Sequence, residues 1–334
     1  MLISEIGEVQ LIKCLTEDVS LDPELVVTGI GDDAAAIKHP GDKLQLITKD
    51  ILVEGIHFLR EGISPWQLGR KSLAVNISDI AAMGGVPRHL LTAVAVPSDT
   101  ECGLVKEIYR GIKGLCREHS INLIGGDTVR SPQGITISIT LLGEVEPEQL
   151  LLRSGAREGH LLAVTGCLGA SAAGLELLLQ GYPFQQEWEE EVLKSHLEPP
   201  VRLKESRMLS ESGAVTSMID LSDGLQKDIG EICQASEVGA RIFADKLPIS
   251  DATRKACRYL KIHEVSLAFI GGEDYELLFS FPPERLSWMK DLWQRERGEN
   301  LEVIGTIVSK EEGLKIVDSR GGEITLSRKG FVHF

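Results

Sequence analysis

The sequence has no excess of positive charge. Its 35 Lys and Arg stand against 50 Asp and Glu, a formal net charge of −15 over 334 residues. A nucleic-acid partner is disfavoured on that ground, because such affinity rests on cationic contacts to phosphates. Adsorption to an anionic membrane surface is disfavoured for the same reason. No apolar run reaches the roughly 20 residues of a membrane-spanning helix. The opening MLISEIGEVQLIKCL carries Glu early and lacks a basic leader, so it does not read as a signal peptide. Six cysteines (Cys14, Cys102, Cys116, Cys167, Cys233, Cys257) form no C-x-x-C pair, which reads as reduced thiols of a cytoplasmic protein. There is no H-E-x-x-H, so zinc is not expected. The phosphate loop G-x-x-x-x-G-K-[ST] is also missing: the nearest stretch, GISPWQLGRKS, has the wrong spacing and falls where a helix is expected. No G-x-G-x-x-G opens a dinucleotide site, since GIGDDA lacks the third glycine. If the ligand is an anion, most of its positive charge must come from something other than side chains.

What remains is an ordinary globular composition, 43% hydrophobic, in a chain long enough for two cores. Strands and helices alternate, which predicts an α/β or mixed α+β architecture. The polar, turn-rich stretch at 146–159 suggests a boundary that divides 1–148 from 149–334. In the first half, strands are expected over 43–50 (ending in Asp50), 89–97 and 134–145. The last alternates Ile135, Ile137, Ile139 and Leu141 with Thr and Ser, the period of a half-buried strand. Helices are expected over 65–85, opened by Pro and closed by Gly-Gly, and over 102–119. A short buried strand at 121–124 should run into a glycine turn at Gly125–Asp127. In the second half, helices are expected over 170–181, 201–213 and 224–236, with strands over 215–220 and 241–247 and a glycine turn entering a strand within 268–281. Residues 183–191 read as a solvated acidic connector.

The acids stand out by position. Asp32 and Asp33 follow a G-x-G turn, Asp50 ends an apolar strand, Asp79 lies in NISDIAAMGG and Asp127 closes LIGGD. Asp220 and Asp223 lie in MIDLSDG, and Glu273 and Asp274 follow Gly-Gly. Each one alone could be a cap or a turn residue; Asp223 in SDGL could be only a helix N-cap. The helix at 65–85 is different. Ser72, Asn76 and Asp79 share one face of an otherwise apolar helix, a stripe that suits a wet cavity or a partner group. Clustered carboxylates repel one another unless a cation joins them. Mg²⁺ prefers oxygen ligands, often one or two carboxylates plus substrate phosphates. An acidic loop can thus hold a polyphosphate through the metal. TGCLGASAAG (165–174) could place backbone amides near an anion at a helix start, or could be plain strand–helix packing.

Together the motifs GIGDDAA, TKD…VEGIHF, GRKSLAVNISDIAAMGG, LIGGDT, LLRSGA, IDLSDGL, GGEDYELLF and GFVHF resemble, in order and over nearly the whole chain, the thiamine-monophosphate kinase family. That family falls in a superfamily with aminoimidazole-ribotide synthetase and selenophosphate synthetase. The resemblance implies an α/β N-terminal domain that dimerises through a β-barrel, an α+β C-terminal domain, and a homodimer. It implies ATP-dependent phosphorylation of thiamine monophosphate to thiamine diphosphate, assisted by several Mg²⁺ ions. By motif, Asp33, Thr48, Asp50, Asp79, Asp127, Asp220 and Asp223 would be metal ligands. Tyr109, Gly126, Asp127, Arg153 and Ser222 would contact the nucleotide, and His57, Glu273 and Phe331 the thiamine moiety. Asp32, Lys49 and Asn76 would support them. Two departures stand out. Lys49 replaces a family hydroxyl between Thr48 and Asp50, so it either faces solvent or takes a cation's place. Val332 replaces the Asp of the closing motif. The resemblance does not extend to selenophosphate synthetase, which needs a reactive Cys in a glycine-rich segment; Cys14 has no such setting.

Overall fold

The computed structural model describes residues 3–16, 19, 22–181 and 186–324. The N-terminal half comprises α1 (Ile3–Thr16), β1 (Val26–Thr28), β2 (Ala35–Lys38), β3 (Leu44–Val53), α2 (Pro65–Ala82), β4 (Val86–Val96), α3 (Cys102–His119), β5 (Asn122–Arg130) and β6 (Thr136–Val145). Its strands form one sheet in the order β1-β2-β3-β6-β4-β5, with β4–β5 parallel and the other pairs antiparallel. The C-terminal half comprises β7 (Leu161–Val164), α4 (Ala170–Leu179), α5 (Glu187–Leu197), α6 (Leu203–Glu211), β8 (Ser217–Asp220), α7 (Leu225–Ser236), β9 (Gly239–Phe243), α8 (Asp251–Leu260), α9 (Glu264–Ile270), β10 (Leu277–Phe281), α10 (Leu286–Arg297), β11 (Glu302–Val308) and β12 (Leu314–Val317). These strands build a second sheet, β12-β9-β11-β7-β10-β8, with β12–β9 parallel.

The alternation in β6 is realised. Ile137, Ile139, Leu141 and Val145 are buried with Leu46 and Leu52 of β3, and they pack with Leu73, Ile77 and Ile80 of α2 and Ile108 and Ile112 of α3. The opposite face of this sheet carries no such layer: Lys49, Ile51 and Leu91 are exposed. Among the described residues the sheet is open, with β1 and β5 as its edges, and no barrel closes within one chain.

Helix α2 begins as its sequence requires. Ser64 Oγ accepts from Gln67 N, Gln67 returns a bond to Ser64 N, and Pro65 fills the first turn. The α2–α3 contact uses two glycines. A Cβ on Gly69 would lie 1.9 Å from Ile108 O, and one on Gly111 would lie 2.0 Å from Trp66 O. Each helix therefore lets the other's backbone approach where any side chain would collide.

Several expectations are corrected. Strand β3 runs on to Val53, so Asp50 lies within the strand, opposite Ile139. The Gly125–Asp127 turn is absent, because β5 continues through both glycines to Arg130; a parallel partner, β4, holds the backbone extended. The acidic connector gives way to α5 from Glu187 on, with Val192, His196 and Leu197 buried on its inner face.

Candidate active site

The site is assembled around α2. Asn76 Nδ2 donates to Ser72 O, and its Oδ1 accepts from Asp50 N at 3.2 Å. Thr48 Oγ1 donates to Asp79 Oδ2. The polar stripe of α2 thus fastens β3 and turns Thr48 and Asp50 toward it. Ser72 departs from the stripe, since its hydroxyl goes to Gly69 O of its own helix. Period two then places Lys49 on the other face of β3, exposed, with Nζ 3.4 Å from Thr140 Oγ1. Lys49 therefore faces away from the acids and takes no cation's place among them.

The GIGDD loop meets the same helix. Gly31 holds φ 115°, a conformation open to glycine. Asp32 serves the loop: Oδ1 accepts from Asp33 N at 3.1 Å and Oδ2 from Arg153 N at 3.3 Å. Asp33 points inward, with Oδ1 bonded to Arg153 Nη2 at 2.7 Å. Asp220 closes β8, and its Oδ2 accepts from Ser78 Oγ of α2 at 2.6 Å. Ligand oxygens of Asp33, Asp79 and Asp220 lie within 4.8 Å of one another.

These acids disturb each other. Burial, opposed by Arg153 and reinforced by Asp220, pushes Asp33 up to about 8. Burial and Asp220 push Asp50 up to about 6. Asp220 rises to about 6 through burial, and Asp79 is raised well above the carboxylate range by burial and by Asp50, Asp220 and Asp33. One guanidinium does not balance four carboxyl groups. Asp33 Oδ2 is buried and has no hydrogen-bond partner among the described residues, which is costly unless another group meets it. The donors are all oxygen, and a hard divalent cation such as Mg²⁺ fits them.

Beside the cluster opens a cavity of ≈ 450 Å³. Asp50, Asp79, Ser222 and Asp223 line one part of it, and Ile56, Phe58, Ile63, Leu175 and Leu178 supply an apolar wall. His57 lines it too and accepts from Val53 N through Nδ1 at 3.0 Å, so the neutral ring carries its proton on Nε2. Glu273 enters with a positive φ of 64°. Its Oε2 meets Lys71 Nζ at 3.1 Å and His196 Nδ1 at 3.2 Å. Burial would raise Glu273, but Lys71 and His196 bring it down to about 2. Lys71 and His196 escape a reading of the sequence: lysine in a helix reads as surface, and His196 stands alone. A larger surface groove of ≈ 730 Å³ near Val86, Arg207 and Trp288 contains none of these acids.

The comparisons with known proteins bear on this geometry. The family models for AIR synthase related protein match in order, the N-terminal domain over residues 31–145 and the C-terminal domain over residues 157–317. The thiamine-monophosphate kinase of Aquifex aeolicus is 36% identical over 310 residues, covering 91% of this chain and 96% of the relative. That of Escherichia coli K12 is 38% identical over 331 residues, covering 98% of each. The chain belongs to the thiamine-monophosphate kinase family. A solved structure described as AaThiL complexed with AMPPCP and TMP superposes with a TM-score of 0.87 at 33% identity, over 100% of this chain and 99% of that one. Escherichia coli HypE, at 18% identity and a TM-score of 0.70, shares the fold.

Against the thiamine-monophosphate kinase pattern, the structure gathers Asp33, Asp50, Asp79 and Asp220, with Thr48 bonded to the cluster. Asp223 lines the adjoining cavity and is paired to Lys227 Nζ at 2.6 Å, so it is not the cap of α7. Asp228 Oδ2 instead accepts from Gly224 N at that helix start. Asp127 stands apart: it is exposed on β5, bonded to Thr128 N at 2.8 Å. Gly126 presses on β4, where a Cβ would meet Thr92 O at 1.9 Å, and the Tyr109 hydroxyl is close to Thr92 and Thr128. Tyr109, Gly126 and Asp127 thus form their own group on the β4–β5 edge. The start of α4 already has an acceptor, because Asp274 accepts from Gly169 N at 2.7 Å and Ser171 N at 3.3 Å. Phe331 and Val332 lie outside the described residues.

Proposed function

We propose that this chain is an ATP-dependent kinase that transfers a phosphoryl group to the phosphate of thiamine monophosphate, giving thiamine diphosphate and ADP. The observation that carries the reading is the Asp33–Asp79–Asp220 cluster within 4.8 Å, next to a cavity lined by apolar side chains and by Glu273, which Lys71 and His196 hold ionised. Such a cavity suits a substrate that is a phosphate at one end and an aromatic ring system at the other.

Asp33, Thr48, Asp50, Asp79 and Asp220 would hold Mg²⁺; the family pattern adds Asp223, which lines the adjoining cavity, and Asp127, which stands on the β5 edge. Bound there, Mg²⁺ supplies the charge neutralisation that lets two phosphate groups approach. The acceptor phosphate is already an anionic nucleophile, so no strong general base is required. The chain's own part is positioning for an in-line transfer. Asn76 and Thr48 fix the two acids on β3 and α2, and Asp32 with Arg153 fixes Asp33. Tyr109, Gly126, Arg153 and Ser222 would contact the nucleotide. His57, Glu273 and Phe331 would hold the thiamine moiety.

We further propose that the chain divides at 148/149 and that a second copy covers the bare face of the N-terminal sheet, closing a β-barrel across the dimer. Lys49, Ile51 and Leu91 on that face and Ile124 and Val129 on the β5 edge are exposed, and an uncovered edge strand invites pairing. The chemistry and the free thiols of all six cysteines suit the cytoplasm. No described helix is long and apolar enough to cross a membrane.

A coupled assay of ADP release tests the activity. Release that requires thiamine monophosphate, and that neither thiamine nor an aminoimidazole precursor evokes, is the expected result. Release indifferent to the acceptor would overturn it.

A further inference from the structure

A lysine whose ammonium is out of water must face an anion, since an unpaired buried charge costs several kcal/mol or loses its proton. Lys71 is such a residue: it sits in the second turn of α2, its side chain 1% exposed, and Glu273 is its ion-pair partner. His196 reaches the same carboxylate from α5. A carboxylate only accepts, so this contact puts the His196 proton on Nδ1. Both contacts fall on Oε2. Among the described residues neither engages Oε1, and the Glu273 side chain remains 25% exposed along the cavity.

The backbone at this point is held against its own preference. Glu273 and Tyr275 take positive φ of 64° and 50°, a conformation that is unfavourable for residues with a Cβ. Glu273 N donates to Ser222 O at 2.7 Å and Tyr275 N to Leu221 O at 2.9 Å. The carboxylate is thus fixed at its root by the backbone and at its tip by a lysine from the other half of the chain.

We propose that Lys71 is a positioning residue: its ammonium holds Glu273 by Oε2 and aims it, so that Oε1 presents a fixed acceptor to a donor-bearing or cationic ring in the cavity. The inference rests on the kinase reading above and deepens it. Among the described residues Lys71 makes its ion pair with Glu273 and none with the acids of the metal cluster. Its removal therefore weakens ground-state binding of the ring-bearing substrate and leaves the chemical step alone.

The test compares wild type, Lys71→Met, Glu273→Gln and the double variant. Binding of thiamine monophosphate and of an ATP analogue is measured by calorimetry, and KM and kcat by ADP release. Lys71→Met is expected to weaken thiamine monophosphate binding and raise its KM about tenfold or more. Affinity for the ATP analogue and kcat at saturation should stay within about threefold. The double variant should bind no worse than Glu273→Gln, because the lysine acts through the glutamate. A fall in kcat at unchanged KM would overturn the proposal, as would additive losses in the double variant. Lys71→Gln, which keeps a donor without the charge, carries the same comparison should the methionine variant fail to fold. Absence of thiamine monophosphate binding by the wild type would instead defeat the functional reading itself.

Discussion

Ser78 Oγ donates to Asp220 Oδ2 at 2.6 Å, and both residues are buried. A helix of the N-terminal half thereby holds a carboxylate that ends a strand of the C-terminal half. The bond also favours the charged form of Asp220, against the burial that raises it. Ser78→Ala should cost about 1–3 kcal/mol, the usual penalty for stranding a buried acceptor. Chemical denaturation reads that loss. The Mg²⁺ concentration for half-maximal activity should rise several-fold, and an unchanged metal requirement would separate Ser78 from the site.

Asp79→Asn should do two opposite things. Asp79 is raised by burial and by three acidic neighbours, so keeping this carboxyl in the metal-free protein costs free energy that a neutral amide does not. The melting temperature without metal should rise. Turnover should fall by roughly 10²-fold or more, because a group that positions charge in the transition state is lost. The same fall is expected for Asp50→Asn. A variant that is both less stable and fully active would contradict the cluster.

The metal-free protein should lose stability as pH rises. Asp33, Asp50 and Asp220 have folded-state values of about 8, about 6 and about 6, above the ordinary 3.8. Between those limits the folded state binds more protons than the unfolded one, so unfolding becomes easier with each step upward in pH. The stabilisation by these protonated groups is complete below about pH 4 and is lost through the window from about 4 to 8. Melting scans in EDTA at pH 5 and pH 8 should show the decline. Mg²⁺ should raise the melting temperature most at pH 8, where the acids need it.

Gly69→Ala should destabilise the N-terminal half without altering the acids. The new methyl would lie 1.9 Å from a backbone oxygen of α3, so the helices must separate. Overpacking of this kind costs about 1–3 kcal/mol or more. A melting temperature equal to wild type would mean that α3 shifts freely.

The sequence makes most of this site legible, and the exceptions have physical causes. Asp33, Asp50, Asp79 and Asp220 are visible because carboxylates beside glycine and among apolar residues are uncommon, and the structure gathers them. The Ser72–Asn76–Asp79 spacing points to a polar stripe, and Asn76 and Asp79 act as one. Helix α5 stays hidden because Glu187, Glu189, Glu190 and Glu191 mask Val192, His196 and Leu197. Lys71 looks like a surface lysine, and only the long-range partner Glu273, 202 positions away, changes its meaning. The turn expected at Gly125–Asp127 fails because a parallel neighbour overrides what glycine permits locally.

Helix α2 carries Lys71 beside the cavity's glutamate and Asp79 among the acids, both lining the same cavity. Eight residues of α-helix span about 12 Å, so this helix acts as a ruler whose graduations are peptide units. One inserted residue between the two would lengthen it by about 1.5 Å and swing one end by about 100°. On the roles proposed above, the rise of this one helix would set the span between the two ends of the substrate, and an insertion between Lys71 and Asp79 should abolish activity.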